Sequence, residues 1–185
     1  VSNAGTIDAS GATGGGEVLI GGDYQGNNKK LSNAQNTVVS GIISADAIEN
    51  GNGGKVILWA DDTTRFTGSI SAIGGDVFGN GGFVEVSGKD VLTYGGLTDL
   101  TAAFGETGLL LLDPTNITIS TGSDSSITGN PDFVPNAGTS SVISESTLES
   151  ALASANVTIL TAAGGGSEKG DVTFDVFPAV TIDST

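Results

Sequence analysis

The sequence predicts an all-β chain wound as a right-handed parallel β-helix (solenoid) with about four regular coils, a long loop insertion and one short helix. Three observations carry that expectation. Glycine-led segments recur, with Gly41, Gly68 and Gly95 each following the last by 27 residues, and an internal period of this size marks stacked units. Within each unit the apolar residues alternate with polar ones, as strands require. The 30 glycines fall at the joints, while 37% apolar residues argue against a disordered acidic tail.

The second unit, Gly41 to Asp62, sets the pattern: a Gly-x-Ile-Ser-Ala opening, a polar glycine loop, a Gly-Gly pair and an alternating apolar run. Gly68 to Asp90 repeats it, and Gly5 to Asp23 is an earlier copy separated by 36 residues instead of 27. The excess falls in Asn27 to Gln35, a polar stretch that reads as a loop inserted between matching units. A degraded fourth copy opens at Gly95 and has Gly108 to Leu112 as its apolar run. Side-chain parity predicts inward ladders of Val18, Val56, Val84 and Leu110, of Ile7, Ile43, Ile70 and Leu97, and of Val39, Phe66 and Thr93, with strands about 4.8 Å apart. Glu17, Lys55 and Glu85 are then expected to face water. Gly14 to Gly16, Gly51 to Gly54 and Gly79 to Gly82 sit where tight corners need positive φ. The right hand follows from the crossover rule, and left-handed β-helices built on hexapeptide repeats are the alternative.

Leu19, Ile57, Trp59, Phe83, Leu109 and Leu111 are apolar on the outward parity, which in a parallel sheet calls for a cover. The chain after Ser120 is the expected cover. Residues 1–119 are read as regular coils and 120–146 as a long loop insertion, with Phe133 and Val134 as its anchor. Residues 147–185 are read as a short capping helix and returning strands of the same domain. Ser146 to Glu149 has the form of a capping box, so the helix is expected from about Thr147 to Ala153. Asn156 to Ile159, Gly170 to Phe174 and Val180 to Ile182 resume strand alternation. Both ends stop in strand-like text, so the stack is expected to continue beyond this chain.

With 185 residues the chain suits one domain. Six Lys plus Arg against 21 Asp plus Glu leave a net charge of −15, which disfavours nucleic acid and anionic lipid as partners. Cysteine is absent, which suits a chain kept unfolded before export. No apolar run approaches the roughly 20 residues that span a bilayer, so membrane insertion is not expected. Nothing resembles a signal peptide, so a secreted parent implies that this chain is a fragment.

The strings Gly21-Gly-Asp-Tyr-Gln-Gly26, Ala45-Asp-Ala47, Trp59-Ala-Asp61, Thr64-x-Phe66-x-Gly68, Gly82 to Gly88 and Leu110 to Ile119 occur in an order that resembles the filamentous-haemagglutinin-like exoproteins (adhesins) of two-partner secretion. The resemblance continues through Ser146 to Glu149, Asn156 to Thr158 and Gly170 to Val172, and so covers nearly the whole chain. It implies a shaft fragment of a large bacterial adhesin, secreted or held at the cell surface and exported through its own outer-membrane transporter. That family includes cytolysins and toxin carriers as well as adhesins, and its N-terminal secretion domain is not in this sequence.

Asp61, Asp62, Asp90 and Asp113 could form the acidic row of a carbohydrate-active β-helix enzyme, with Arg65, Lys55 or Lys89 as base, although solvated corner carboxylates explain them equally well. No enzyme activity and no cofactor are expected. Isolated calcium sites at Asp23, Asp46, Asp76 or Asp99 are the cofactor alternative, without the nonapeptide repeat of calcium-binding β-rolls. Trp59, Tyr24 and Tyr94 are the candidate ligand surface, as stacking platforms for host or matrix glycans, against packing beneath a loop. The glycine runs lack the Gly-Lys-Ser/Thr of a phosphate cradle. Asn116 and Asn156 head sequons that also fit strand starts.

Overall fold

In this computed structural model, which describes residues 1–122, 124, 141–161 and 170–174 together with the strands at 127–128 and 134–135, the chain is mostly β and its larger sheets are parallel. The side chains expected as an anchor at 133–134 and the rung expected at 180–182 lie outside the described residues.

Short alternating runs bounded by glycine give each unit three strands. The first unit holds β1 (Ser2–Asn3), β2 (Thr6–Asp8) and β3 (Glu17–Ile20), and the second β4 (Asn36–Val39), β5 (Ile42–Ser44) and β6 (Lys55–Ala60). The third holds β7 (Thr63–Phe66), β8 (Ser69–Ser71) and β9 (Phe83–Gly88), and the fourth β10 (Val91–Tyr94), β11 (Leu97–Asp99) and β12 (Leu109–Leu112). Equivalent strands pair across units: β1-β4-β7-β10 form one sheet, β11-β8-β5-β2 a second, and β12-β9-β6-β3 run through a third. Gly14, Gly51 and Gly79 take positive φ at the corners, as expected.

Beyond the fourth unit come β13 (Ile117–Ser120), the antiparallel pair β14 (Ile127–Thr128) and β15 (Val134–Pro135), β16 (Ser141–Ser144), α1 (Glu145–Leu152), β17 (Asn156–Ile159) and β18 (Val172–Phe174). β17 joins the third sheet beside β12, and β13 lies between β16 and β18 in a parallel sheet of its own. β16 falls in the 120–146 stretch whose composition suggests a loop. No helix among the described residues is long and apolar enough to cross a membrane.

The first inward ladder follows the sequence pattern. Val18 pairs with Val56, Val56 with Val84, and Val84 with Leu110, and all four are buried. The other two ladders depart from it in the fourth unit. Ile70 is partnered by Thr98, so Leu97 turns outward and is 66% exposed. Phe66 is partnered by Tyr94 rather than Thr93. The cause is one extra residue: 11 residues, 72–82, join β8 to β9, where 10, 45–54, join β5 to β6. The strands β9 to β11 are displaced by one, so the counterpart of Gly68 is Gly96, not Gly95, and the shorter loop 100–108 returns β12 to the original interval.

The displacement brings two hydroxyls into the interior, and they satisfy each other. Tyr94 Oη and Thr98 Oγ1 lie 2.8 Å apart and buried, with the Tyr94 ring 5.5 Å from that of Phe66. A buried hydroxyl without a partner is costly, which is why a threonine serves here where the other units have isoleucine.

The helix begins two residues earlier than the capping-box spacing suggests. Ser144, at the end of β16, is the N-cap, and its Oγ accepts the Thr147 N–H at 3.1 Å. Leu148 and Ala151 then face the core. The cap moves because the preceding strand, not the Ser146-x-x-Glu149 string, fixes where the backbone turns.

Removing one of the paired interior hydroxyls is expected to cost more than removing both. Thr98→Val should lower stability by about 1–3 kcal/mol, and adding Tyr94→Phe should recover most of it. Urea unfolding of the four forms in the double-mutant cycle measures this.

Candidate functional site

Among the described residues, the part of the third sheet's outward face around Trp59 is covered by a segment that precedes Ser120, not by the chain after it. The cover is the segment 21–35, which leaves the sheet after β3 and lies across β6 and β9. It closes on itself and on its host: Ala34 N–H donates to the Gly21 carbonyl at 2.7 Å, and Asp61 N–H to the Ala34 carbonyl at 2.8 Å. Asn33 Nδ2 reaches both the Gly26 carbonyl and Asp61 Oδ1. A turn of 3-10 helix spans Tyr24–Gly26, with the Asp23 carboxylate accepting the Tyr24 N–H. The Asn28 amide, that N–H and Lys55 together hold the Asp23 carboxyl at about 2.

Trp59 is the floor of this cover and is 2% exposed. Glycine lets the segment lie flat on the indole, since a methyl at Gly26 would sit 2.6 Å from ring atoms. The indole N–H donates to Asp61 Oδ1 at 3.2 Å.

Next to Trp59, the segment straps down a buried acid. Gln25 has φ 52°, the one positive φ at a non-glycine among the described residues. That conformation turns its N–H onto both oxygens of Glu85, each at 3.2 Å, while its side-chain amide reaches Asp113 Oδ2 at 3.2 Å. Glu85 and Asp113 are both fully buried. Burial, with a smaller push from the Asp113 charge, raises the Glu85 carboxyl to about 7 against the pull of the Gln25 N–H and the more distant Lys55. The expectation that Glu85 faces water is thus overturned. A signal was present: Glu85 lines up with Leu19, Ile57 and Leu111, a row otherwise apolar.

The three expected aromatic platforms are not one surface. Trp59 lies under the segment and Tyr94 in the interior, where burial pushes its hydroxyl up to about 12. Tyr24 alone is exposed, at 43%, with its ring 5.9 Å from that of Phe83. Phe83 borders an open trough of about 750 Å³ lined by Gly15–Gly16, Gly53–Gly54, Gly81–Gly82 and Gly108, together with Asn52, Asn80, Glu17, Lys55 and Glu106.

The four acids that a carbohydrate-active site would stack in a row are split. Asp90 N–H donates to the Asp62 carbonyl, so these two acids stack at one corner. Partial burial and the neighbouring Asp62 charge raise the Asp90 carboxyl. Asp61 is occupied by Trp59 and Asn33, and Asp113 lies under Gln25. Lys55 pairs with Glu17 at 2.9 Å and Asp23 at 3.0 Å. Arg65 aligns between Val38 and Thr93, and the Lys89 backbone carbonyl accepts the Thr115 N–H.

Of the calcium candidates, Asp46 accepts from Ser71 Oγ and the Ile73 N–H, and Asp99 from the Thr101 N–H and hydroxyl. Asp76 stands exposed. Among the described residues no group of three or more acidic side chains is arranged to hold a metal ion. Asn156 begins β17, and Asn116 immediately precedes β13.

No protein-family model and no curated protein matches the chain. The arrangement itself is a lock: a segment held over a sheet by Trp59 and the carboxylates of Asp61, Glu85 and Asp113, with Glu85 raised to about 7.

The sign of its pH dependence follows from Glu85. The folded value lies above the ordinary 4.5, so the contribution is fully present below about pH 4.5 and is lost as pH rises through about 7. Between those limits about 3 kcal/mol is at stake. Acrylamide quenching of Trp59, the one tryptophan, should rise between about pH 5 and pH 8 as the segment loosens. Glu85→Gln should flatten that rise and shift the urea midpoint upward near pH 8.

Proposed function

We propose that the chain is a structural module: a right-handed parallel β-helix of about four coils from a large bacterial adhesin, secreted or surface-exposed through two-partner secretion. The observation that supports this most is register. Each unit contributes one strand to each of three parallel sheets, always in the same order, which is what a common winding axis requires. The right hand follows from the preference of strand-crossover-strand connections. On this reading the module is not an enzyme, needs no cofactor and serves to project or space other parts of its parent. Its partner is the outer-membrane transporter that exports the whole protein. A net charge of −15 and the lack of cysteine suit a chain that crosses a membrane unfolded and remains soluble outside.

One observation favours a second reading, local contact with host or matrix glycans. Tyr24 stands exposed beside Phe83 at the edge of the glycine-lined trough, and an aromatic face beside amide donors suits sugar rings.

Export tests the first reading. Fused behind the secretion domain of a two-partner substrate and expressed with its transporter, the chain is expected outside the cell as a protease-resistant core. Retention and degradation in the periplasm would count decisively against it. A glycan array tests the second reading: binding that disappears in Tyr24→Ala supports it, and no binding removes it.

A further inference from the structure

Three successive units expose large apolar side chains at the same corner, on the loops that follow β5, β8 and β11. Ile48 is 57% exposed, Val77 63%, Phe78 59% and Phe104 72%. Backbone pairing sets Glu49 and Asn50 opposite Val77 and Phe78, so Ile48 lies one position before that pair in the neighbouring layer. Val77 N–H donates to the Glu49 carbonyl at 2.9 Å, and Asn50 bridges to Phe78. A methyl at Gly105 would sit 2.0 Å from the Gly79 carbonyl oxygen, so Phe104 follows Phe78 in the next layer. The fold does not need these side chains, because the interior ladders are complete without them. Isolated exposed apolar residues are ordinary, but a row of them kept through three layers marks a contact surface.

Charge selects the partner. The loops 45–54, 72–82 and 100–108 carry Asp46, Glu49, Asp76 and Glu106 and no Lys or Arg. A second copy of this chain would bring a like field against that rim, and anionic lipid would be repelled in the same way. An apolar centre with an acidic rim complements an apolar stripe with basic flanks. Three layers extend about 10 Å, the length of about two turns of α-helix.

We propose that the Ile48–Val77–Phe78–Phe104 ridge docks the apolar face of a cationic amphipathic helix supplied by another protein.

The test uses the whole chain and a synthetic amphipathic leucine–lysine helix, with a scrambled leucine–lysine peptide and a leucine–glutamate helix as controls. The amphipathic cationic peptide is expected to bind more tightly than either control. Phe78→Ser combined with Phe104→Ser, which leaves every charge in place, should weaken it by about tenfold or more. Circular dichroism verifies that the doubly substituted chain is folded, and Phe104→Ser alone is the fallback if it is not. Equal binding of the scrambled peptide, or no loss in the substituted chain, would overturn the proposal. So would sedimentation showing that the ridge pairs two copies of this chain, or substitution-sensitive binding to zwitterionic vesicles without binding to the peptide.

Discussion

Each parallel ladder holds because a strand meets its counterpart with the same face inward, and a slip of one residue would send Val56, Val84 and Leu110 to the solvent side. Pairing of this kind satisfies backbone groups between units rather than within them, so no unit is complete alone. The interior rows then follow as a consequence. Where the third unit's loop gains a residue the ladder is not broken; β10 and β11 shift by one position, and Tyr94 and Thr98 fill the places that a strict repeat would give to Thr93 and Leu97.

A sheet that is apolar on both faces needs something over its outer side, and around Trp59 the segment 21–35 meets that need at the cost of strain and burial. Gln25 adopts a left-handed conformation that disfavours most side chains. Glu85 loses its water. The two costs are linked, because the strained residue supplies the N–H that the buried carboxylate accepts. Asp61 plays a milder part at the other side, joining Trp59 to Asn33. Hydrogen bonds along the segment's own edge, such as Ala34 to Gly21, keep the cover in one shape.

Much of this was legible in the residues. Alternation in the runs Val18 to Ile20, Val56 to Leu58 and Val84 to Val86 names the strands and their inward faces, because a Gly-Gly pair and one further residue lead into each run. The polar insertion is visible as a spacing anomaly between the first two units. Counting fails where lengths drift: Gly95 lies at the expected interval from Gly68, yet hydrogen bonding selects Gly96, and no local string announces the change. The candidate site was least legible. Trp59 and Tyr94 look alike as aromatics in alternating text, and only the three-dimensional course of the chain buries one under a loop and the other in the core. Glu85 reads as a surface acid unless its row is compared across units, since the residue that buries it is 60 positions away.

The loops joining equivalent strands differ in length from unit to unit, with 10, 11 and 9 residues after β5, β8 and β11, while the sheets they connect keep their pairing. Lengthening such a connection costs little, about 0.6 kcal/mol for each doubling of a flexible loop. The corners are therefore open ground for evolution: new chemistry can be spliced in there without editing the ladders. The stretch that roofs Trp59 is such a connection, a longer length of chain that folds back onto the sheet it leaves.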